Sequence, residues 1–347
     1  MSRLPDYIYF EETPHNQLDR LVQELAPDQV AILVDEHTKQ HCLPIVANDT
    51  YNIIEIQSGE IHKTLETCAL VWQKMTELGM SRDSLLVNLG GGVISDMGGF
   101  IAATYKRGIR FINVPTTLLS QVDASIGGKI GIDFQGLKNH IGLFRDPEAV
   151  ILSSVFLKSL DRRQLFSGFA EVIKHGLIWD RDYFDQIKST KFPEEVDWVS
   201  LLKRSVEIKS EVVLADPFEK GLRKILNFGH TFGHAVETYH LDKGIGMFHG
   251  EAIIIGMIME MHLSYQKEWL VDSDLEKVSK WLIELYGLVN TVPSSEELVQ
   301  LMRHDKKNTA DQINFSIINQ VGACTYDVHF DELQIESAVE FYRNLNE

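Results

Sequence analysis

The chain has 347 residues, 44% of them hydrophobic and 24% charged, with a formal net charge of −17, which suits a globular protein of two domains better than one small core. That negative balance argues against a nucleic-acid partner and against anionic membrane surfaces, although a few clustered Lys and Arg can reverse the field for a small anionic ligand. Cys42, Cys68 and Cys324 are scattered, odd in number and without CxxC spacing, which speaks against a disulfide framework and a thiolate metal site.

The opening MSRLPDYIYFEE has no apolar signal core, and together with the cysteine usage this predicts a cytoplasmic protein. Short apolar runs then alternate with helical patterns, the mark of βα units and a mostly parallel sheet. Val30–Asp35, Tyr51–Ile56, Ser84–Leu89 and Arg110–Val114 are predicted strands, and Leu65, Ala69, Trp72 and Met75 recur at helical spacing as a core stripe. Asp35, at a strand end, is placed either to hold a ribose hydroxyl or simply to cap the strand. Leu85–Gly99 (LLVNLGGGVISDMGG) reads as a strand, a glycine turn and a helix. Glycines there let the backbone approach a phosphate, and the helix start supplies free N–H groups and a positive dipole end. The stretch matches neither GxGxxG nor a Walker A loop. Residues 115–139 are rich in Thr, Ser, Asp, Lys, Asn and Gly, but Leu118, Leu119, Ile126, Ile130 and Ile132 flank the polar groups. Partial burial of Asp123, Lys129, Lys138 and Asn139 is therefore expected, and buried lysines need anionic partners.

From about Ser153 the character changes. Phe169–Trp179, Trp198–Leu214, Ile225–Thr238, Glu251–Gln266 and Asp274–Leu285 have helical patterns, with strand-like runs only at Ile313–Ile318 and Ala323–Val328. The run Ala252–Met259 is far too short to span a membrane. The expected architecture is α/β: an N-terminal Rossmann-like nucleotide-binding domain (residues 1–152) and a mainly α-helical C-terminal metal-binding domain (residues 153–347), with an active site in the cleft between. In GFAEVIKHG, Glu171 and Lys174 stand three apart among apolar neighbours, so they share a helix face too apolar for an exposed ion pair. Glu171 is a candidate metal carboxylate. In RKILNFGHTFGHAVETYHLDKGIGMFHG (223–250), Arg223, Asn227, His230 and His234 fall at intervals of four, three and four, predicting one face of a single helix, and His249 follows a glycine-containing loop. Three neighbouring imidazoles point to a metal, because catalytic zinc usually takes three protein ligands and keeps one position open. Lys209, Arg223 and Lys306 would add positive charge if the fold gathers them.

These segments, from SGEIHK (58–63) through GGGVISD (90–96), VDASIGGKIGID (122–133) and GFAEVIKHGLI (168–178) to MFHGEAIIIGM (247–257), together resemble the 3-dehydroquinate synthase family, in order over most of the chain. The resemblance implies NAD and a divalent metal, Zn²⁺ or Co²⁺, held by Glu171, His230 and His249, with His234 a substrate and proton-transfer residue. It implies nucleotide contacts from Asp35, Glu60, Lys63, Gly90, Gly91, Gly92, Asp96, Thr116, Thr117, Lys129, Lys138, Phe156 and Ser159. Substrate contacts and catalysis would fall to Arg107, Asp123, Lys129, Lys138, Asn139, Lys174, Lys209, Arg223, Asn227, His234 and Lys306. The implied substrate is an anionic sugar phosphate, 3-deoxy-D-arabino-heptulosonate 7-phosphate. It would be oxidised, lose phosphate by β-elimination, be reduced again, open and close by aldol addition to 3-dehydroquinate. The family also implies a homodimer. His37, and LKSL at 157–160 in place of Thr-Leu-Pro, depart from the family pattern near the nucleotide. Another sugar-phosphate cyclase, an NAD-dependent metal alcohol dehydrogenase, or a degenerate paralogue that only binds, are the rival expectations; the dehydrogenase would lack the phosphate-binding Lys and Arg set.

Overall fold

The computed structural model describes residues 4–46, 50–135, 137–289, 291–303 and 313–345. They form two compact units, Met1–Asp161 with Asp197–Ser210, and Arg162–Val196 with Glu211–Glu347. The first unit extends past the expected boundary at 152/153 because Phe156, in a short 3-10 turn, packs into the same cluster as Leu18, Ile32 and Val87.

The first unit carries β1 (Ile8–Phe10), β2 (Val30–Asp35), β3 (Asn52–Ile56), β4 (Leu85–Gly90), β5 (Arg110–Pro115), β6 (Lys129–Phe134), β7 (Leu137–Phe144) and β8 (Ala149–Leu152). Its helices are α1 (Pro14–Leu25), α2 (Glu36–His41), α3 (Leu43–Val46), α4 (Leu65–Glu77) and α5 (Gly92–Thr104). Six strands form one sheet in the order β1-β8-β5-β4-β2-β3, and every pairing in it is parallel. The continuous apolar runs of β2 and β4 result from burial of both faces: one packs on the cluster of Ile54, Val71 and Ile101, the other on that of Leu18, Val46 and Phe156. Strand order reverses between β2 and β4, since β3 lies outside β2 and β5 outside β4. Ligands of open α/β sheets bind beyond the carboxyl ends of the strands at such a reversal. Asp35 and Gly90 end those two strands.

Strands β6 and β7, which begin inside the polar stretch and end at Phe144, form an antiparallel hairpin. On β6 the run Ile130–Ile132 is buried while Lys129 at its start is exposed, and β7 is exposed over nearly its whole length, Lys138 and Asn139 included. The expected partial burial of Lys129, Lys138 and Asn139 is thus corrected: Lys129 stands at the exposed start of β6 and β7 has no buried residue, so the neighbouring apolar side chains cover none of the three.

The second unit is mainly helical: α6 (Arg162–Trp179), α7 (Arg181–Ser189), the end of α8 (Trp198–Ala215), α9 (His230–Asp242), α10 (His249–Gln266), α11 (Asp272–Tyr286), α12 (Ser295–Arg303) and α13 (Glu332–Asn344), with the hairpin β9 (Phe315–Gln320) and β10 (Ala323–Val328). α10 is buried almost all round and packs against α6, α9, α11 and α13, so its apolar run is that of a central helix. Among the described residues no helix is long and apolar enough to cross a membrane.

The single helix expected through Arg223, Asn227, His230 and His234 is broken. Leu222–Asn227 is a 3-10 turn, Gly229 has φ of +80°, and α9 begins at His230. Close helix packing forces the break: a Cβ on Gly229 would lie 2.5 Å from Met257 Cγ, and one on Gly256 would lie 1.9 Å from the Gly229 carbonyl oxygen. Only glycine accepts both that φ and that approach.

Candidate functional site

Within the second unit, three different helices present the metal-donor set. Glu171, fully buried in mid-α6, comes with its Oε1 to 3.6 Å from His230 Nε2 and 3.5 Å from His249 Nε2. His230 and His249 open α9 and α10. Ligand atoms about 2.0–2.2 Å from a tetrahedral Zn²⁺ stand roughly 3.4 Å from one another, so these spacings fit a cation held by one carboxylate and two imidazoles. The donor atoms of the three residues all lie within 4.8 Å of one another. His230 Nδ1 faces the Phe228 carbonyl oxygen at 3.1 Å. That acceptor keeps the proton on Nδ1 and leaves the Nε2 lone pair toward Glu171. Burial works against a charged His249, but the carboxylates of Glu171 and Glu237, 3.5 and 3.6 Å from its ring nitrogens, outweigh it and raise its pKa to about 9.

Lys174, 1% exposed, sits one turn from Glu171 and pairs with it, supplying the counter-charge that a buried carboxylate needs. His234 is on the next turn of α9, its ring centroid 5.1 Å from that of His230 and 6.0 Å from that of His249. Arg223 and Asn227 come from the 3-10 turn before the break. The buried Arg223 donates from Nη1 to the Pro217 carbonyl at 2.6 Å, and Asn227 Nδ2 donates to Glu219 Oε1 at 2.8 Å. Asp216 shapes the loop that carries them, its carboxylate accepting from the N–H groups of Lys220, Gly221 and Arg223 at 3.0, 2.6 and 3.1 Å.

In the first unit the expected residues form three groups and several separate positions. Lys209, 5% exposed on α8, donates to the Asp123 carbonyl at 2.6 Å and to its carboxylate at 2.5 Å. Lys63, 3% exposed, donates to Asp96 Oδ2 at 2.7 Å and Asn139 Oδ1 at 2.6 Å, with Glu60 Oε1 at 4.0 Å. Burial disfavours the Lys63 ammonium, but Asp96 and Glu60 more than offset it and hold its pKa above the ordinary value. Gly91 precedes α5, and a Cβ there would lie 3.2 Å from Thr117 Cγ2, while Thr116 N–H donates to the Gly90 carbonyl at 3.0 Å. The glycine turn and the two threonines are therefore one surface. Asp35 caps α2, accepting from Thr38 N–H at 2.7 Å. Ser159 donates to the Phe156 carbonyl at 3.2 Å, and the Phe156 side chain packs into the core beside the sheet. Arg107, at φ +70°, is exposed like Lys129 and Lys138. Lys306 lies outside the described residues.

Sequence reasoning did not single out Asp216, Glu219, Glu237, Glu260 or Asp133. A signal existed for Glu237, which continues the spacing of His230 and His234 by three more residues. Asp133 accepts from Asn139 N–H across the hairpin at 2.7 Å, a pairing visible only once the strands are in register.

The family model described as 3-dehydroquinate synthase N-terminal matches residues 53–167, and that described as 3-dehydroquinate synthase C-terminal matches residues 168–308. A 3-dehydroquinate synthase of Parabacteroides distasonis is 39% identical over 339 residues, covering 94% of this chain and 95% of its own. One of Thermoanaerobacter pseudethanolicus is 40% identical over 273 residues, covering 77% and 76%. Among solved structures, 2-epi-5-epi-valiolone synthase from Streptomyces hygroscopicus subsp. jinggangensis, with NAD⁺ and Zn²⁺ bound, aligns at TM-score 0.83 and 24% identity, covering 97% of this chain and 96% of that one. NADH-dependent butanol dehydrogenase A from Thermotoga maritima aligns at TM-score 0.68 and 13% identity, covering 98% and 97%. The fold is thus shared with cyclases and dehydrogenases alike, whereas these two relatives near 40% identity over most of the chain are both 3-dehydroquinate synthases.

Proposed function

The chain belongs to the 3-dehydroquinate synthase family, enzymes of the lyase class, and from that premise we propose that it converts 3-deoxy-D-arabino-heptulosonate 7-phosphate to 3-dehydroquinate and inorganic phosphate. The observation that carries this is the donor set of Glu171, His230 and His249, spaced for one cation with Lys174, His234, Arg223 and Asn227 on the same and neighbouring elements. When bound, a Zn²⁺ or Co²⁺ ion supplies Lewis acidity toward a substrate hydroxyl, and NAD supplies a hydride acceptor that ends the turnover as it began.

The chain's own residues do the rest. Glu171, His230 and His249 hold the cation, and Lys174 keeps the buried carboxylate compensated. The turn Gly90–Gly92, with the start of α5, Thr116 and Thr117, offers backbone N–H groups and hydroxyls to a dinucleotide's phosphates, beyond the strand-order reversal. Asp35, Glu60, Lys63 and Asp96 order its remaining polar groups. Arg223 is a fixed guanidinium suited to a carboxylate or phosphate; Arg107, Lys129, Lys138, Asn139 and Lys306 add further phosphate and carboxylate contacts. Lys209 and Asp123, already hydrogen-bonded, orient hydroxyls, as does Asn227. His234 moves the proton when phosphate leaves. An overall charge of −17 is no obstacle, because anion binding depends on the local field. A cytoplasmic homodimer is part of the same proposal: the dimer is what the family resemblance implies, and the free thiols of Cys42, Cys68 and Cys324 suit a reducing compartment.

Purified protein given the heptulosonate phosphate, catalytic NAD⁺ and Zn²⁺ is expected to release inorganic phosphate without net NADH. Stoichiometric NADH would assign it to the dehydrogenases that share its fold. His249→Ala is expected to lose the metal, and His234→Ala to keep the metal while losing turnover. Loss of the metal in the second variant would overturn the ligand assignment.

A further inference from the structure

The two metal-facing imidazoles are oriented by different acceptors. His230 has its Nδ1 on a backbone carbonyl, that of Phe228, at 3.1 Å. His249 opens α10, and its ring lies between two carboxylates: Nε2 is 3.5 Å from Glu171 Oε1, and Nδ1 is 3.6 Å from Glu237 Oε2. Glu237 stands on α9, seven residues after His230 and three after His234, and therefore on the same helix face. Its side chain is 13% exposed, so the carboxylate is largely withdrawn from bulk water.

We propose that Glu237 is a positioning residue for the metal centre, holding the His249 imidazole as its Nδ1–H tautomer with Nε2 aimed at the cation. The inference rests on the reading of Glu171, His230 and His249 as the ligand set and adds a residue outside it. A carboxylate behind the distal nitrogen fixes both tautomer and ring plane, and it raises the donor strength of the ligating nitrogen. His249 needs such support more than His230 does. It is 25% exposed on its side chain against 11% for His230, so packing alone constrains its ring less. One face of α9 would then serve the centre three times: His230 as ligand, His234 beside it, and Glu237 as support for a ligand on the next helix.

The same geometry has a rival. Donor atoms of His234, Glu237 and His249 also lie within 4.8 Å of one another, so Glu237 could itself ligate a second ion. The test uses the full-length protein, wild type, Glu237→Ala and Glu237→Gln, each stripped by chelator and reloaded. Three quantities are read: the Zn²⁺ dissociation constant by competition with a chromophoric chelator, the visible absorption of the Co²⁺ form, and the melting temperature of the metal-free protein. Glu237→Ala is expected to bind Zn²⁺ about 10–100-fold more weakly with an altered Co²⁺ spectrum, while its metal-free form still shows a cooperative melting transition. Glu237→Gln, which keeps an acceptor oxygen without the charge, is expected to fall between and serves as the readout if the alanine variant does not fold. Wild-type affinity and spectrum in both variants would overturn the inference while leaving the three-ligand reading intact. Two ions per wild-type chain falling to one would also overturn it, making Glu237 a ligand. A wild-type chain that retains no metal would defeat the three-ligand reading and this inference with it.

Discussion

Asp216 gathers three backbone N–H groups onto one carboxylate, those of Lys220, Gly221 and Arg223, and so decides where the Arg223 side chain starts. Partial burial alone would raise its pKa, but the three donors outweigh that and hold it below the ordinary carboxylate value of 3.8. A carboxylate whose pKa is depressed on folding stabilises the fold above its unfolded pKa and loses that contribution as pH falls through the folded value. Asp216→Asn is therefore expected to melt below wild type at neutral pH, and the gap should close as the solution is acidified below pH 3.8; melting curves across that range check it. A gap independent of pH would mean that the charge contributes nothing. At this scale the family resemblance points to Glu171, His230 and His249 from the sequence alone. The supporting carboxylates Asp216, Glu219, Glu237 and Glu260 escaped it. Their partners are backbone groups or side chains that adjoin them only through loop and helix geometry, so no residue type advertises them.

The crossing of α9 and α10 positions both imidazoles. Glu260, fully buried on α10, accepts from Gly229 N–H at 2.6 Å and Thr231 N–H at 3.1 Å, on either side of His230. These are N–H groups at a helix start that would otherwise need water, so α10 both packs on α9 and caps it. Gly256→Ala would force a Cβ to 1.9 Å from the Gly229 carbonyl oxygen. Overpacking of this kind costs roughly 3 kcal/mol. The expected outcome is a melting temperature several degrees lower, together with weaker Zn²⁺ retention, because the same shift displaces His230. Unchanged metal affinity in a folded variant would separate the crossing from the site. The extents of β2, β4, β5, α10 and α11 were legible within a residue or two, since long apolar periodic runs carry their own signal. β1 is only three residues long, too short for any periodicity, and the break at Gly229 was invisible because 3.6-residue spacing ran unbroken across it.

The two units differ in what a metal ion can do for them. Glu171, His230 and His249 all belong to the second unit, and an ion bound only by the folded form stabilises it by about 2.7 kcal/mol at a hundredfold excess over its dissociation constant. Calorimetry with Zn²⁺ is expected to raise the transition of the unit that carries α6, α9 and α10, while chelator returns it to the metal-free temperature. A shift equal in His249→Ala would show that the ion acts elsewhere. Composition and apolar periodicity alone determined that this is an acidic α/β protein with an early parallel sheet and a helical second half, and motif order alone pointed to the family. These properties are legible because they are local or cumulative along the chain. Only the tertiary structure decided that the histidine stripe is two elements joined at Gly229, that Lys129 and Lys138 face solvent while Lys63 is buried against Asp96, and that Glu237 stands behind His249. Each depends on how closely two distant backbones approach, which packing settles and spacing along the chain does not record.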